Sequence, residues 1–197
     1  MSKIKFGITE IIASAVGVLL FVLLEWFEKQ GMASGLIESA VYGWLQPRMV
    51  IVTLVAALFG PVSGLVCGVG GSLLINSMFE SFISYTEVMV IGLYGYAIGR
   101  MYGKFKVYDG SFGIREFVDF GAVTLATSIF CGVIMMPMLG FLIEDASLYD
   151  TINIGVRSVI GNSIASLIIC GITMKIVSMC CNVKNRRRIE NESKVFG

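Results

Sequence analysis

Residues Ala56–Gly71 read AALFGPVSGLVCGVGG, an uncharged stretch that holds five glycines and one proline. In a water-soluble helix each interior glycine costs about 0.5–1 kcal/mol relative to alanine, and an interior proline about 3 kcal/mol. A chain that places both in its most apolar stretch is not building an ordinary aqueous helix. The rest of the chain points the same way. Only 15% of residues are charged and 56% are hydrophobic, with a mean hydropathy of +0.83, whereas a soluble domain carries about 25% charge. That is too much apolar surface for one core in water, and the pattern is that of an all-α integral membrane protein crossing the bilayer several times.

A helix needs about 20 mostly apolar residues to cross the hydrocarbon layer. Six segments qualify as spans: residues 8–27, 48–60, 61–79, 84–103, 115–142 and 150–181. The second is short enough to be partly re-entrant, and the sixth is long enough to project past the membrane. The first ends at Glu25–Trp26–Phe27–Glu28 with no small-residue cleavage site, so it reads as a retained helix rather than a signal peptide. Between spans one and two, KQGMASGLIESAVYGWLQPR places Leu36, Ile37, Ala40, Val41, Trp44 and Leu45 at helical spacing. This is expected to be a short amphipathic helix at the membrane surface, ended by Pro47. Pro137 is expected to kink the fifth span. The chain divides into a membrane domain, 1–182, and a basic cytoplasmic tail, 183–197.

With six spans, twelve of the fifteen lysines and arginines fall on one side. Lys29 and Arg48 fall on the other, and Arg157 lies within the sixth span. The positive-inside rule then puts both termini in the cytoplasm. The tail's Lys184, Arg186, Arg187 and Arg188 serve as an anchor to anionic lipid rather than a nucleic-acid site.

In lipid, helices associate through close backbone approach, which small residues permit. Gly60, Ser63, Gly64, Gly68 and Gly71 form one such stripe; Gly92, Gly95, Gly99 and Gly103 form another, and Ala13 and Gly17 a shorter third. Pro61 belongs to a hairpin turn. The five cysteines have no metal or disulfide spacing and read as packing residues, and histidine is absent, which removes the commonest metal ligand and general base. No metal or cofactor is expected.

The segment from Trp44 to Met78 resembles the second and third helices of S components of energy-coupling-factor (ECF) transporters, in which A-A-x-F-G-P-x-x-G-x-x-x-G-x-x-G recurs. Ala56, Ala57, Phe59, Gly60, Pro61, Gly64, Gly68 and Gly71 match it. The branch most similar is that of riboflavin-type and vitamin-like S components. The resemblance implies a subunit in a bacterial cell membrane that captures a vitamin-like heterocycle from outside. It implies partners too: a membrane scaffold subunit and two cytoplasmic ATPases. It also implies that Ala13 and Gly17, in place of the family's alanine-x-x-x-alanine, face the scaffold. The chain's own run Gly68–Val69–Gly70–Gly71–Ser72 lacks the lysine of a phosphate-binding loop, so this chain has no ATP motor.

Polar groups inside spans are costly and functional by default. Glu87, Arg157, Asn162, Asn153 and Asn76 lie at similar outward depth and are the expected substrate-binding residues, with Trp44 as a lid and Tyr85 among the aromatic groups nearby. Asn162, within GNSIAS, resembles an asparagine of the family's sixth helix. Two readings stand for Arg157: pairing with Glu87 or Asp150, or ligand contact. The expected substrate is a flat, neutral or zwitterionic ring; riboflavin, a thiamine-related pyrimidine and a deazaguanine precursor of queuosine all fit. The competing functions are an integral membrane enzyme acting on a lipid, for which Glu116 and Asp119 are the one carboxylate pair, and a gradient-driven transporter, which internal repeats would favour.

Overall fold

The computed structural model describes residues 7–33, 46–79, 84–145 and 147–195. The described residues are helical and contain no strand. Helix α1 is Ile8–Ala33, α2 is Pro47–Phe59, α3 is Pro61–Phe79 and α4 is Tyr85–Gly99. After a 3₁₀ turn at Tyr102–Phe105, α5 is Ile114–Ile129. It runs through a π segment, Phe130–Met135, into α6, Met136–Glu144. Helix α7 is Leu148–Val195 and passes without a break through the boundary set at 182/183. The expected amphipathic helix falls mostly outside the described residues, and Trp44 lies wholly outside them.

Among the described residues four stretches are long and apolar enough to cross a membrane: Ile8–Gly31, Pro61–Phe79, Ile114–Glu144 and Thr151–Asn185. Their outward faces carry large aliphatic side chains, such as Leu19 and Leu23 on α1 and Ile164, Ile168, Ile172 and Ile176 on α7. Apolar patches of that extent are not left facing water. The chain is a multi-pass membrane protein.

Helices α2 and α3 are joined by one residue. Gly60 has φ +93°, a backbone state that side chains disfavour, and Pro61 opens α3 where its missing N–H is not needed. From that turn α3 runs back against α4 at backbone contact. A Cβ on Gly95 would lie 2.3 Å from the Gly64 carbonyl oxygen, and one on Gly68 2.7 Å from the Ile91 oxygen. The glycines of the opening stretch therefore bring two backbones together, and the proline starts a helix.

The π segment has a local cause. Pro137 has no N–H to give and its ring clashes with the carbonyl four residues back. Ahead of it the helix widens by one residue, with the Met136 N–H donating to the Cys131 carbonyl. The adjustment at Pro137 thus takes the form of a wider turn over Phe130–Met135, and that turn faces the centre of the bundle.

Helix α1 packs on α2 and α3, and α4 on α3; α7 packs on α2, α5 and α6. The two groups of helices meet where α2, α4, the π segment and α7 converge.

Candidate functional site

A cavity open at one side lies at that meeting point, with about 670 Å³ of atom-free space when the opening is counted. Its walls are mostly apolar: Met49 from α2, Val90 and Ile91 from α4, Met136 from α6 and Val159 from α7. On one side Gly132 of the π segment and Gly155 of α7 touch, since a Cβ on Gly155 would fall 2.1 Å from the Gly132 oxygen. An apolar chamber with a few convergent polar groups is the usual form of a small-molecule site.

Those polar groups sit at two levels. At the mouth, Arg48 in the first turn of α2 reaches Glu87 in the first turn of α4, Nη2 to Oε1 2.5 Å. Its other amino group lies 3.5 Å from Oε1 of Glu25 on α1. Glu25 and Glu28 are both buried. Beside them Lys29 sits over the Phe79 ring, 5.2 Å from its centroid. The start of α4 is held by Ser84, whose Oγ accepts from the Glu87 N–H at 3.2 Å. Glu144 at the end of α6 accepts from the Ser84 hydroxyl and the Thr86 N–H. Across the mouth, the Asn162 Oδ1 of α7 accepts from the Gln46 N–H at 2.7 Å, and its Nδ2 donates to Oε1 of Gln46 at 3.5 Å. Asn162 thereby fixes the first turn of α2, which carries Arg48.

At the floor, hydroxyls from several helices meet. Thr53 Oγ1 of α2 donates to the Met49 carbonyl at 2.7 Å. It is 3.0 Å from the Tyr94 hydroxyl of α4 and 3.4 Å from Ser166 Oγ of α7. A hydroxyl has one proton. With Thr53's committed to Met49, Tyr94 and Ser166 are the donors toward Thr53, and the Tyr94 oxygen keeps its lone pairs. Ser128 of α5 is 5% exposed, lines the cavity and lies beside the Tyr94 hydroxyl.

The family profile described as "ECF-type riboflavin transporter, S component" matches residues 5–180. The chain belongs to this family. The family is a transporter component, so this chain is read as a substrate-binding transporter subunit and not an enzyme. The S component is also similar to proteins named "UPF0397 protein". That of Lacticaseibacillus casei (strain BL23) is 27% identical over 165 residues, covering 83% of this chain and 84% of the relative. That of Streptococcus pneumoniae (strain Hungary19A-6) is 24% identical over 164 residues, 83% and 86%. That of Streptococcus gordonii is 26% identical over 160 residues, 81% and 82%. No solved structure is matched.

Of the residues singled out in the sequence, Glu87 and Asn162 line the cavity of this S component. Asn76 is 1% exposed, but it lies off the cavity, on α3, and neither polar atom of its carboxamide has a hydrogen-bond partner among the described residues. Three others are corrected in position. Asn153 and Arg157 are exposed on the outer face of α7, because the face that packs inward is Gly155, Val159, Asn162 and Ser166. Tyr85 is 58% exposed, at the start of α4, where its ring points away from the bundle. Gly17 is corrected too: it is buried within the chain, where a Cβ would meet Val55 at 2.8 Å and Cys67 at 3.0 Å, so it is not presented to a scaffold. Ala13 is half-buried one turn earlier. Glu116 accepts from the Gly113 N–H at 3.0 Å and so caps α5, while Asp119 is exposed.

Sequence reasoning missed Arg48, Gln46 and Ser128 as lining residues. Arg48 had a signal: a lone arginine directly ahead of a buried apolar helix. At the edge of a span that signal is indistinguishable from an interfacial anchor.

Proposed function

We propose that this chain crosses the membrane six times with both termini in the cytoplasm, and that it captures a vitamin or vitamin-like heterocyclic micronutrient from outside. It delivers the ligand inward when docked on a membrane scaffold subunit energised by two separate ATPases. The observation that carries the reading is the cavity: an apolar chamber between two groups of helices, with Arg48, Glu87 and Asn162 at its mouth and Tyr94 and Ser128 at its floor. Family membership supports the division of labour, since S components work with a scaffold and ATPases. In this reading Glu87 and Asn162 contact the ligand, and Asn76 supports the outer end of α3. The family description names riboflavin; a thiamine-related pyrimidine and a deazaguanine precursor of queuosine are of the same flat kind.

The test is to purify the full chain from cells grown in rich medium and identify bound small molecules by mass spectrometry. Binding of the identified compound is then followed by tryptophan fluorescence. A stoichiometric heterocycle is expected. Transport of that compound into cells is expected only when scaffold and ATPases are co-expressed; uptake by this chain alone would overturn the reading.

A further inference from the structure

The charges at the mouth do not balance. The cavity wall holds two charged residues, Arg48 and Glu87. Arg48 is already engaged by two carboxylates, Glu87 and Glu25. Among the described residues at the mouth from α1, α2, α4 and α6 are the acids Glu25, Glu28, Glu87 and Glu144 and the bases Lys29 and Arg48, so the acids are in excess by two, and by one with Glu28 protonated. Arg157, which would have supplied a cation, is exposed on the far face of α7.

We propose that the ligand of this cavity carries a positive charge, a protonated amine or a cationic ring nitrogen, seated against the Glu87 carboxylate. The inference rests on the capture reading above and narrows its substrate class. An incoming cation neutralises the excess charge while Arg48 stays on Glu25. An incoming carboxylate or phosphate would have to take Arg48 from one of its two partners and leave that carboxylate buried without a counter-charge. The floor favours the same class. The Tyr94 proton is committed to Thr53 and the Ser128 hydroxyl lies beside Tyr94, so with Ser128 donating to the Tyr94 oxygen both oxygens keep lone pairs for a ligand. Two oxygens ready to accept below one carboxylate suit a ligand rich in N–H donors.

The experiment uses the full-length chain in detergent and six probes in three charge classes. Thiamine and 3-(aminomethyl)pyridine are cations, riboflavin and nicotinamide are neutral, and biotin and nicotinate are anions. Affinity is read by calorimetry and by the shift in unfolding midpoint. At least one cation is expected to bind more tightly than every neutral or anionic probe. Glu87→Gln should weaken it by about thirtyfold or more, the low end for removing one partner of a buried charge pair, and lower the ligand-free midpoint as well, since Arg48 then keeps only Glu25. If Glu87→Gln does not fold, Glu25→Gln removes the same charge from outside the wall and should weaken the cation several-fold. Tight binding of a neutral or anionic probe that is unchanged in either variant overturns the charge assignment and leaves capture standing. If no probe binds and mass spectrometry finds nothing bound, both readings fall.

Discussion

Thr53 is the hub of the cavity floor, and its single hydroxyl decides what its neighbours can do. It donates to Met49 and receives from Tyr94 and Ser166. Replacing it with valine keeps the shape and strands two buried donors, each costing about 1–3 kcal/mol. Tyr94→Phe removes only a donor and leaves Thr53 bonded to Met49, so its cost is about 0.5–1.5 kcal/mol. The expected order of unfolding midpoints is therefore wild type, then Tyr94→Phe, then Thr53→Val, read by thermal unfolding in detergent. The reverse order would mean that Thr53 is not the shared acceptor. Side chains of this kind were only partly legible in the sequence. Glu87 and Asn162 stand out because a carboxylate or amide in an apolar run has few reasons to be there. Arg157 stands out equally and faces the other way. Residues 153, 157 and 161 share one side of a helix, but which side packs inward depends on the neighbours. Here contact with Gly132 turns Gly155 to the inside, and a sequence read one helix at a time does not contain that contact.

Between elements, the glycine stripes were legible because lipid gives small residues one main use, close backbone approach. The stripe on α3 meets the stripe on α4, and at Gly64 and Gly95 the obstacle to a side chain is backbone, which has no rotamer to move. Gly95→Ala should therefore force the helices apart at a cost of about 1–3 kcal/mol, the range for an overfilled core. At Gly103, in the 3₁₀ turn, a Cβ would find no neighbour within 4 Å. Gly103→Ala is expected to stay within about 0.5 kcal/mol of wild type. Thermal unfolding of the two variants in detergent checks the contrast, and comparable losses from both would show that helix propensity, not contact, sets the cost. The π segment was less legible. Pro137 signals a disturbance, but whether a helix bends or widens is settled by what lies beside it, and here Gly132 must close on Gly155.

For the molecule as a whole, the span count turns on the short helices, α4 at 15 residues and above all α2 at 13. A helix of that length spans about 20 Å against a hydrocarbon thickness of about 30 Å. Its inner end is fixed by contact: Gly60 lies against the Tyr102 ring, beside the loop that carries Lys104 and Lys106. That loop is too basic to sit in hydrocarbon, so the Gly60 turn is at the cytoplasmic surface in this reading. The missing length is therefore at the outer end. Arg48, in α2's first turn, pairs with Glu25, and α1 continues from Glu25 to Ala33, about 12 Å further outward. Helix α2 therefore begins recessed relative to the outer end of α1. If α2 crosses in this way, the span count is even. Reporter fusions at residue 108 and at both ends should then report cytoplasm, and fusions at 40, 82 and 146 should report the outside. A re-entrant α2 would put residue 40 and the Gly60 turn on one face. The chain's two ends would then lie on opposite faces, with Lys184 and Arg186–Arg188 outside, against the charge bias that orients membrane proteins.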